Sequence, residues 1–329
     1  MVTRRGVFLA VGSGLQLASL LPSRLHAQQR PKVIGVLSPG TIGPFEPYRG
    51  IFIRAMHDFG YVIGTHFTLV ERFADGRNER LRELAAELAT LRVDIIITNS
   101  TNGALAAMQA SSSIPIVFLG VADPVLAGLA DTIARPGRNL TGLANFATDL
   151  SAKRLQLLQQ MVPNLARVAV LANPTNPYFA TQLQRMQPSA SQLGLRLLLF
   201  SAGTRAELEP AFKAMTQQRA EAVIITADTY LFTENQRIAE LALTSRLPSM
   251  FAFASGVEAG GTMSYGNDPK LEMRQLAVYV DKIFKGAMPG ELPIEQPTRI
   301  DLVINRKTAK ALQLTIPRLL LLQAENVID

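Results

Sequence analysis

Short apolar runs alternate along the chain with longer segments in which apolar residues recur every three or four positions. The short runs are rich in β-branched residues, and they predict strands at 33–37, 67–73, 93–98, 115–119, 168–172, 195–201, 222–226 and 247–251. The longer segments predict amphipathic helices, for example at 78–91 and 206–218. Strands that are apolar on both faces and alternate with helices indicate parallel sheets covered on both sides. We therefore predict an α/β fold.

The two halves of the chain repeat one strand order. The matching strings are VIGVLSP (33–39) with VAVLANP (168–174), DIIITNST (94–101) with AVIITADT (222–229), and IPIVF (114–118) with LPSMF (247–251). Chance similarity between hydrophobic strands explains any one pair. Equivalent positions differ by 135, 128 and 133 residues, and three pairs at similar offsets favour a duplication. The repeat predicts two Rossmann-like lobes, each with a parallel sheet.

Connections between such lobes are expected at flexible segments. The stretches 138–143 and 260–266 are flanked by glycines that tolerate hinge rotation, and 298–305 is a third extended run. Three crossings would return the helix predicted at 269–284 to the first lobe. The expected organisation is an amino-terminal lobe of residues 28–145 and 267–290, a carboxy-terminal lobe of 146–266 and 291–329, and a three-strand hinge.

The amino terminus has the layout of an export signal. Arg4 and Arg5 precede a weakly apolar stretch at 6–21, and Ala27 offers a small residue at a cleavage point. We expect residues 1–27 to be a signal peptide of the twin-arginine or Sec type, and the mature protein to be periplasmic. Removing its three arginines lowers the net charge from +7 to +4.

Composition excludes several functional classes. The chain has no cysteine, which excludes disulfides, thiolate metal sites, cysteine nucleophiles and the usual lipid anchor. No dinucleotide, Walker or nucleophile-elbow motif is present, and His57 and His66 lack the spacing of metal ligands. Basic residues are scattered, which argues against nucleic acid as a partner. We expect no cofactor, no metal and no catalysis, although paired carboxylates at Asp123 and Asp228 leave acid–base chemistry open.

Polar side chains follow the predicted strands, where an open parallel sheet binds its ligand. The candidate ligand-binding residues are Ser38, Thr98, Asn99, Ser100, Asp123, Asn173, Asn176, Tyr178, Asp228 and Ser255. Hydroxyls and helix-start N–H groups suit a carboxylate, and a carboxylate suits an ammonium. The pattern therefore indicates a zwitterion, with its carboxylate at Thr98 and Ser100 and its ammonium at Asp228 or Asp123.

Each candidate also has a purely structural explanation. Residues 98–101 are typical N-caps, Asp123 before a proline is a normal helix start, and 173–177 could form a turn. Aromatic residues near the strand ends could wall a pocket or belong to the core; these are Tyr178, Tyr230, Phe232, Phe253 and Tyr265.

Several strings resemble a known family in order and in joint occurrence. They lie at 33–38, 114–118, 123–125, 135–142 (RPGRNLTG), 153–155, 171–177 (LANPTNP), 263–266, 296–298 and 302–312. Across nearly the whole mature length, the chain resembles the TrpX-like substrate-binding proteins of ABC transporters, which have the type I periplasmic-binding-protein fold.

The resemblance implies that the lobes close over a small ligand and deliver it to an ABC permease in the inner membrane. Some members resemble binders of aromatic amino acids, so it implies an amino acid or related carboxylate as ligand. The family's cleft positions would fall on Ser38, 98–100, Asp123, Asn173 and Asp228. Ala227-Asp228-Thr229 departs from the usual string after the aspartate, which leaves the ligand open. We expect a monomer; the alternative is a sensing module that signals to a membrane receptor.

Overall fold

The computed structural model describes residues 30–145, 150–176, 179–297 and 299–329. The predicted signal peptide at 1–27 and the candidate Tyr178 lie outside these residues. Residues from Pro31 to Asp329 form one compact unit. No helix in the described part of the chain is both long enough and apolar enough to cross a membrane.

The first sheet has five parallel strands in the order β2-β1-β3-β4-β5. The strands are β1 Lys32–Ser38, β2 Phe67–Phe73, β3 Ile95–Thr98, β4 Ile116–Val121 and β5 Leu140–Ala144. The helices between them are α1 Ile42–Asp58, α2 Leu81–Thr90, after a 3₁₀ turn at Asn78–Arg80, and α3 Thr101–Ala110. Parallel neighbours need such crossover helices, so the sheet is covered on both faces.

The second sheet has seven strands in the order β12-β11-β10-β9-β8-β6-β7. The strands are β6 Arg167–Ala172, β7 Arg196–Ser201, β8 Ala222–Ile225, β9 Ser249–Phe251, β10 Met263–Gly266, β11 Asp301–Asn305 and β12 Asn326–Ile328. The helices that follow β5 in the chain are α4 Ser151–Met161, α5 Phe179–Gln192, α6 Arg205–Gln217, α7 Thr229–Thr233, α8 Asn235–Thr244, α9 Ala254–Glu258, α10 Pro269–Phe284, α11 Arg306–Ala311 and α12 Arg318–Gln323.

The predicted repeat of strand order is confirmed. Strands β7-β6-β8-β9-β10 of the second sheet follow the same order as β2-β1-β3-β4-β5 of the first. Two strands depart from the all-parallel prediction. Strand β11 runs antiparallel to β10, with Gly266 opposite Asp301, and β12 runs parallel to β11. The chain leaves the second lobe where β10 ends and re-enters it beside that point, so the returning strand runs in the opposite direction.

The two glycine-flanked segments predicted as hinges contain strands β5 and β10, and the crossings between the lobes follow directly after these strands. A Cβ at Gly142 would lie 2.1 Å from the carbonyl oxygen of Phe118 on β4, and one at Gly266 would lie 1.8 Å from that of Ala252. These glycines therefore permit close packing within the sheets rather than rotation between them.

Helix α10 returns to the first lobe, as the three-crossing arrangement requires. Leu276, Ala277 and Tyr279 lie in one buried cluster with Ile34 of β1 and Phe52 of α1. The helix therefore forms one wall of the first lobe although it follows the last parallel strand of the second. Leu292 and Ile294 also pack against first-lobe clusters, while the residue boundaries of the two lobes stay a prediction.

Candidate functional site

A cavity lies where the two lobes face each other, beyond the carboxyl ends of β3 and β4 in one sheet and of β6 and β8 in the other. About 100 Å³ of it is accessible to the centre of a water molecule. In parallel sheets of this order the crevice opens where the strand order reverses, beside the first strand. The topology therefore brings the polar loops of both lobes to one place.

Five of the predicted ligand-binding residues line this cavity together. They are Asn99, Ser100, Asn173, Asn176 and Asp228. The first two follow β3 and the others follow β6 and β8, so both lobes contribute. We call this set the polar half of the cavity.

Ser100 is the N-cap of α3, as the structural explanation required. Its Oγ accepts a hydrogen bond from the N–H of Gly103 at 2.9 Å. The first-turn N–H groups of Thr101 and Asn102 have no partner four residues earlier in a helix, and both residues line the cavity. The cap role and an anion-binding role are therefore compatible at this position.

Asp228 is held by three donors. Its Oδ1 accepts from the N–H of Leu231 at 3.0 Å, which makes it the N-cap of α7, and from Asn173 Nδ2 at 3.2 Å. Its Oδ2 accepts from Asn176 Nδ2 at 2.9 Å. Burial raises the pKa of Asp228, and these hydrogen bonds oppose that rise. The carboxylate is fixed in the wall of the cavity, and a cation beside it would offset its desolvation.

Four aromatic rings form the other half of the cavity. Phe45 and Tyr48 come from α1, Phe232 from α7, and Phe253 precedes α9. The centroid of Phe232 lies 5.7 Å from Phe45, 5.6 Å from Tyr48 and 5.7 Å from Phe253. Burial raises the pKa of Tyr48 to about 12, and a hydrogen bond with Ser255 opposes the rise. We call these rings the aromatic half.

Three of the described residues that line the cavity carry buried polar atoms without hydrogen-bond partners. Asn78 Oδ1, Asn99 Oδ1 and the Tyr230 hydroxyl are buried, and none has a partner among the described residues; all three residues line the cavity. Burying such a group without a partner costs about 1–3 kcal/mol. Groups of this kind are expected where a polar ligand binds.

The lobes contact each other around the cavity. Thr229 Oγ1 donates to the carbonyl oxygen of Asn99 at 2.8 Å, and Asn78 Nδ2 donates to Thr175 Oγ1 at 2.7 Å. Asn102 Nδ2 donates to the carbonyl oxygen of Thr175 at 3.2 Å. These bonds join residues that lie between 73 and 130 positions apart in the chain, and they describe a closed arrangement.

The remaining described candidates lie outside this cavity. Ser38 and Thr98 line a neighbouring, nearly apolar cavity of about 80 Å³ in the first lobe. Each of them directly precedes a residue that lines the interlobe cavity. Asp123 accepts from the N–H of Leu126 at 3.0 Å in a turn that does not continue into the expected helix, and its Oδ2 lies 3.9 Å from Arg185 Nη2. Ser255 accepts from Asn235 Nδ2 at 2.9 Å and contacts the cavity wall only through Tyr48.

Of the aromatic candidates, Tyr230, Phe232 and Phe253 line the cavity. Tyr265 packs against a second-lobe core instead, and its carbonyl oxygen accepts from the buried Arg154 at 2.8 Å.

Sequence reasoning missed the residues that reach the cavity from helices. Phe45 and Tyr48 lie on α1, and Glu272 lies in the first turn of α10. Glu272 is partly buried, and its Oε1 accepts from Asn267 Nδ2 at 2.5 Å. Burial raises the pKa of Glu272 to about 8. The return of α10 to the first lobe was the one signal that could have drawn attention to it.

The Asp, Glu, Lys, Arg and His side chains of the site are all acidic. The described lining residues include two carboxylates, Asp228 and Glu272, and none of them is lysine, arginine or histidine. Among the described residues, no group of histidine and acidic side chains could hold a metal ion. The arrangement can bind a cation at a carboxylate, an anion at helix-start N–H groups, and an apolar ring between aromatic side chains.

Known proteins resemble this chain over most of its length. The "Tyrosine-binding protein" of Clostridioides difficile (strain R20291) is 22% identical over 263 residues, which cover 80% of this chain and 75% of that protein. A conserved domain protein from Vibrio cholerae has a solved structure that matches with a TM-score of 0.84 at 26% identity, covering 91% of this chain and 100% of that one.

Two further solved structures share the fold. An ABC domain from Streptococcus pneumonia in complex with L-Trp matches with a TM-score of 0.80 at 22% identity, covering 90% of this chain and 100% of that one. The ligand-free, open structure of a substrate-binding protein with adhesive properties from Clostridium difficile matches with a TM-score of 0.62 at 23% identity, covering 90% and 99%.

The fold is therefore that of the type I periplasmic binding proteins: two α/β lobes with largely parallel sheets joined by a three-strand hinge. The family model for ABC transporter substrate binding proteins matches residues 44–328. That range includes all the strands of both sheets except β1, and nearly every residue that lines the interlobe cavity. The chain belongs to the family of ABC transporter substrate binding proteins.

Proposed function

We propose that this protein is the solute-binding component of an ABC importer, and that its lobes close over an amino acid with an aromatic side chain. The observation that carries the proposal is the closed cavity itself, which both lobes line and where buried polar atoms lack partners. The ligand undergoes binding and release without chemical change. The names of two similar proteins, one tyrosine-binding and one in complex with L-Trp, support the ligand class.

Each part of an aromatic amino acid has a counterpart in the cavity. Its carboxylate would bind the Ser100 hydroxyl and the first-turn N–H groups of Thr101 and Asn102. Its ammonium would bind Asp228. Its ring would lie in the aromatic half, against Phe232 and its neighbours.

Closure is the mechanism we propose for both capture and signalling to the permease. A ligand that contacts Ser100 in one lobe and Asp228 in the other stabilises only the closed state, since the open state separates these residues. The bonds from Thr229 to Asn99 and from Asn78 to Thr175 add to that state. We further propose that the chain is exported to the periplasm by a cleaved signal over residues 1–27, and that it acts there as a monomer.

A thermal-shift screen of the purified protein against the twenty amino acids and small organic acids tests the ligand class. A ligand present at 100 times its dissociation constant should stabilise the folded state by about 2.7 kcal/mol, which raises the melting temperature by several degrees. Isothermal titration then gives the affinity. A folded protein that binds no amino acid would rule out the ligand class.

The importer role has its own test. Deleting the gene should abolish high-affinity uptake of the radiolabelled ligand by cells, and the plasmid-borne gene should restore it. Unchanged uptake, together with a lost transcriptional response to the ligand, would support the sensing role instead.

A further inference from the structure

Glu272 is a second carboxylate of the cavity, on the other lobe from Asp228. It lies in the first turn of α10, next to Met273, which lines the cavity beside Phe45 and Tyr48. Asp228 and Ser100 belong instead to the polar half, where Thr229 and Asn99 are directly bonded. The two carboxylates therefore reach the cavity from different lobes.

One oxygen of Glu272 is fixed and the other is free. Oε1 accepts from Asn267 Nδ2 at 2.5 Å, and Asn267 is itself buried. Oε2 has no hydrogen-bond partner among the described residues. A carboxyl group held by one oxygen presents the other in a defined direction, which is the condition for selective recognition.

No described basic residue of the interlobe cavity faces Glu272, and the neighbouring Asp268 is also acidic. Glu272 also lines an adjacent cavity, which contains Arg274 and Arg299. Burial raises the pKa of Glu272 to about 8, so the side chain is mostly neutral at pH 7. A neutral carboxyl can donate from Oε2, and an ionised one can accept there. A ligand hydroxyl matches both states, because it also donates and accepts.

We propose that Glu272 is a specificity-determining residue that binds a hydroxyl at the end of the ligand's aromatic ring. This inference rests on the proposed function and names its ligand class more narrowly: an aromatic amino acid with a phenolic hydroxyl. An unsubstituted ring would leave Oε2 buried against carbon without a partner. Sites built to bind a hydroxyl reject analogues that lack it far more strongly than apolar pockets discriminate between sizes.

Isothermal titration of the wild-type protein with L-tyrosine, L-phenylalanine and 4-methyl-L-phenylalanine tests the inference. The methyl group fills the volume of the hydroxyl without its hydrogen bonds. We expect tyrosine to bind at least tenfold more tightly than either analogue. A ratio below threefold would overturn the role of Glu272, whereas the proposed function would stand so long as any of the three binds.

Two variants separate hydrogen bonding from packing. E272L should reduce the ratio of tyrosine to phenylalanine affinity to below threefold, since leucine can neither donate nor accept. E272Q should keep most of the preference, because with its Oε1 still accepting from Asn267 its Nε2 can donate to the ring hydroxyl. A full preference in folded E272L would contradict the inference. If E272L fails to fold, the affinities of the wild type and of E272Q still test the inference. A wild-type protein that does not prefer tyrosine contradicts the inference by itself.

Discussion

Replacing Asp228 by asparagine removes a charge from the cavity while keeping the shape of the side chain. If the ligand's ammonium binds this carboxylate, the variant leaves a buried cation without its counter-charge. Truncating one partner of a buried, hydrogen-bonded charge pair costs about 2–5 kcal/mol. We therefore expect the affinity for an amino acid to fall by about 2 kcal/mol or more, which is roughly 30-fold.

The same variant should leave the ligand-free protein nearly as stable as before. Because burial raises the pKa of Asp228, the folded state binds a proton there more readily than the unfolded chain. The stability from this group is present at low pH and is lost as the pH rises, so at pH 7 the ionised side chain is unfavourable. Asparagine relieves that cost but cannot accept from both Asn173 and Asn176, a loss of about 1 kcal/mol. The net change should be below about 1 kcal/mol.

Calorimetric titration at pH 7 and urea unfolding measure the two effects separately. Asp94→Asn is the matched control, since Asp94 accepts from the N–H of Val33 at 2.8 Å and from Lys32 Nζ at 3.2 Å, at the opposite end of its sheet. We expect the control to lose about 1 kcal/mol of stability and none of its affinity. Unchanged affinity in folded Asp228→Asn would refute the assignment of the ammonium to Asp228.

Three further predictions follow from the same contacts. The pKa of Glu272 is raised to about 8, so the stability that this side chain contributes is complete below the ordinary pKa of a glutamate and is lost as the pH rises toward 8. Urea unfolding should therefore show the wild type losing stability relative to Glu272→Gln between pH 5 and 8. Parallel pH profiles of the two proteins would refute this. Gly142→Ala places a Cβ 2.1 Å from the Phe118 carbonyl oxygen, so we expect a loss of at least about 2 kcal/mol by the same method, and an unchanged midpoint would contradict the packing. Asn78→Ala removes the 2.7 Å hydrogen bond to Thr175 across the cleft, which should weaken ligand binding about fivefold in a calorimetric titration. The unfolding midpoint of the ligand-free protein should change little. Equal affinity would show that this bond does not stabilise the closed state.

The hydrophobic pattern predicted the strands, because nearly every residue of a parallel strand that is buried on both faces is apolar. All eight predicted strands occur, and β2 has the predicted bounds of Phe67–Phe73. The return of α10 to the first lobe also followed, since its apolar face needed a partner. The antiparallel direction of β11 could not be predicted from the sequence. Strand direction depends on where the chain re-enters the sheet, and the local residue pattern does not encode that point.

The polar half of the site was predictable for the same reason as the sheets. Asn99, Asn173 and Asp228 follow buried strands, and the carboxyl ends of parallel strands share one edge. The prediction for Thr98 was wrong by one position, because the next residue, Asn99, lines the interlobe cavity. Side chains alternate along a strand, and that of Thr98 points into the first lobe. Glu272 was not predicted as a cavity residue, because its position depends on the second crossing between the lobes, which follows β10.

A crystal structure of the protein grown with L-tyrosine tests the central claim most directly. We expect the ligand in the interlobe cavity, with its carboxylate at Ser100 and the start of α3, its ammonium within 3.2 Å of Asp228, and its hydroxyl at Glu272 Oε2. The lobes should keep the closed contacts of Asn99 with Thr229. Tyrosine bound outside the cavity, or a closed protein with the cavity filled only by water, would contradict the account.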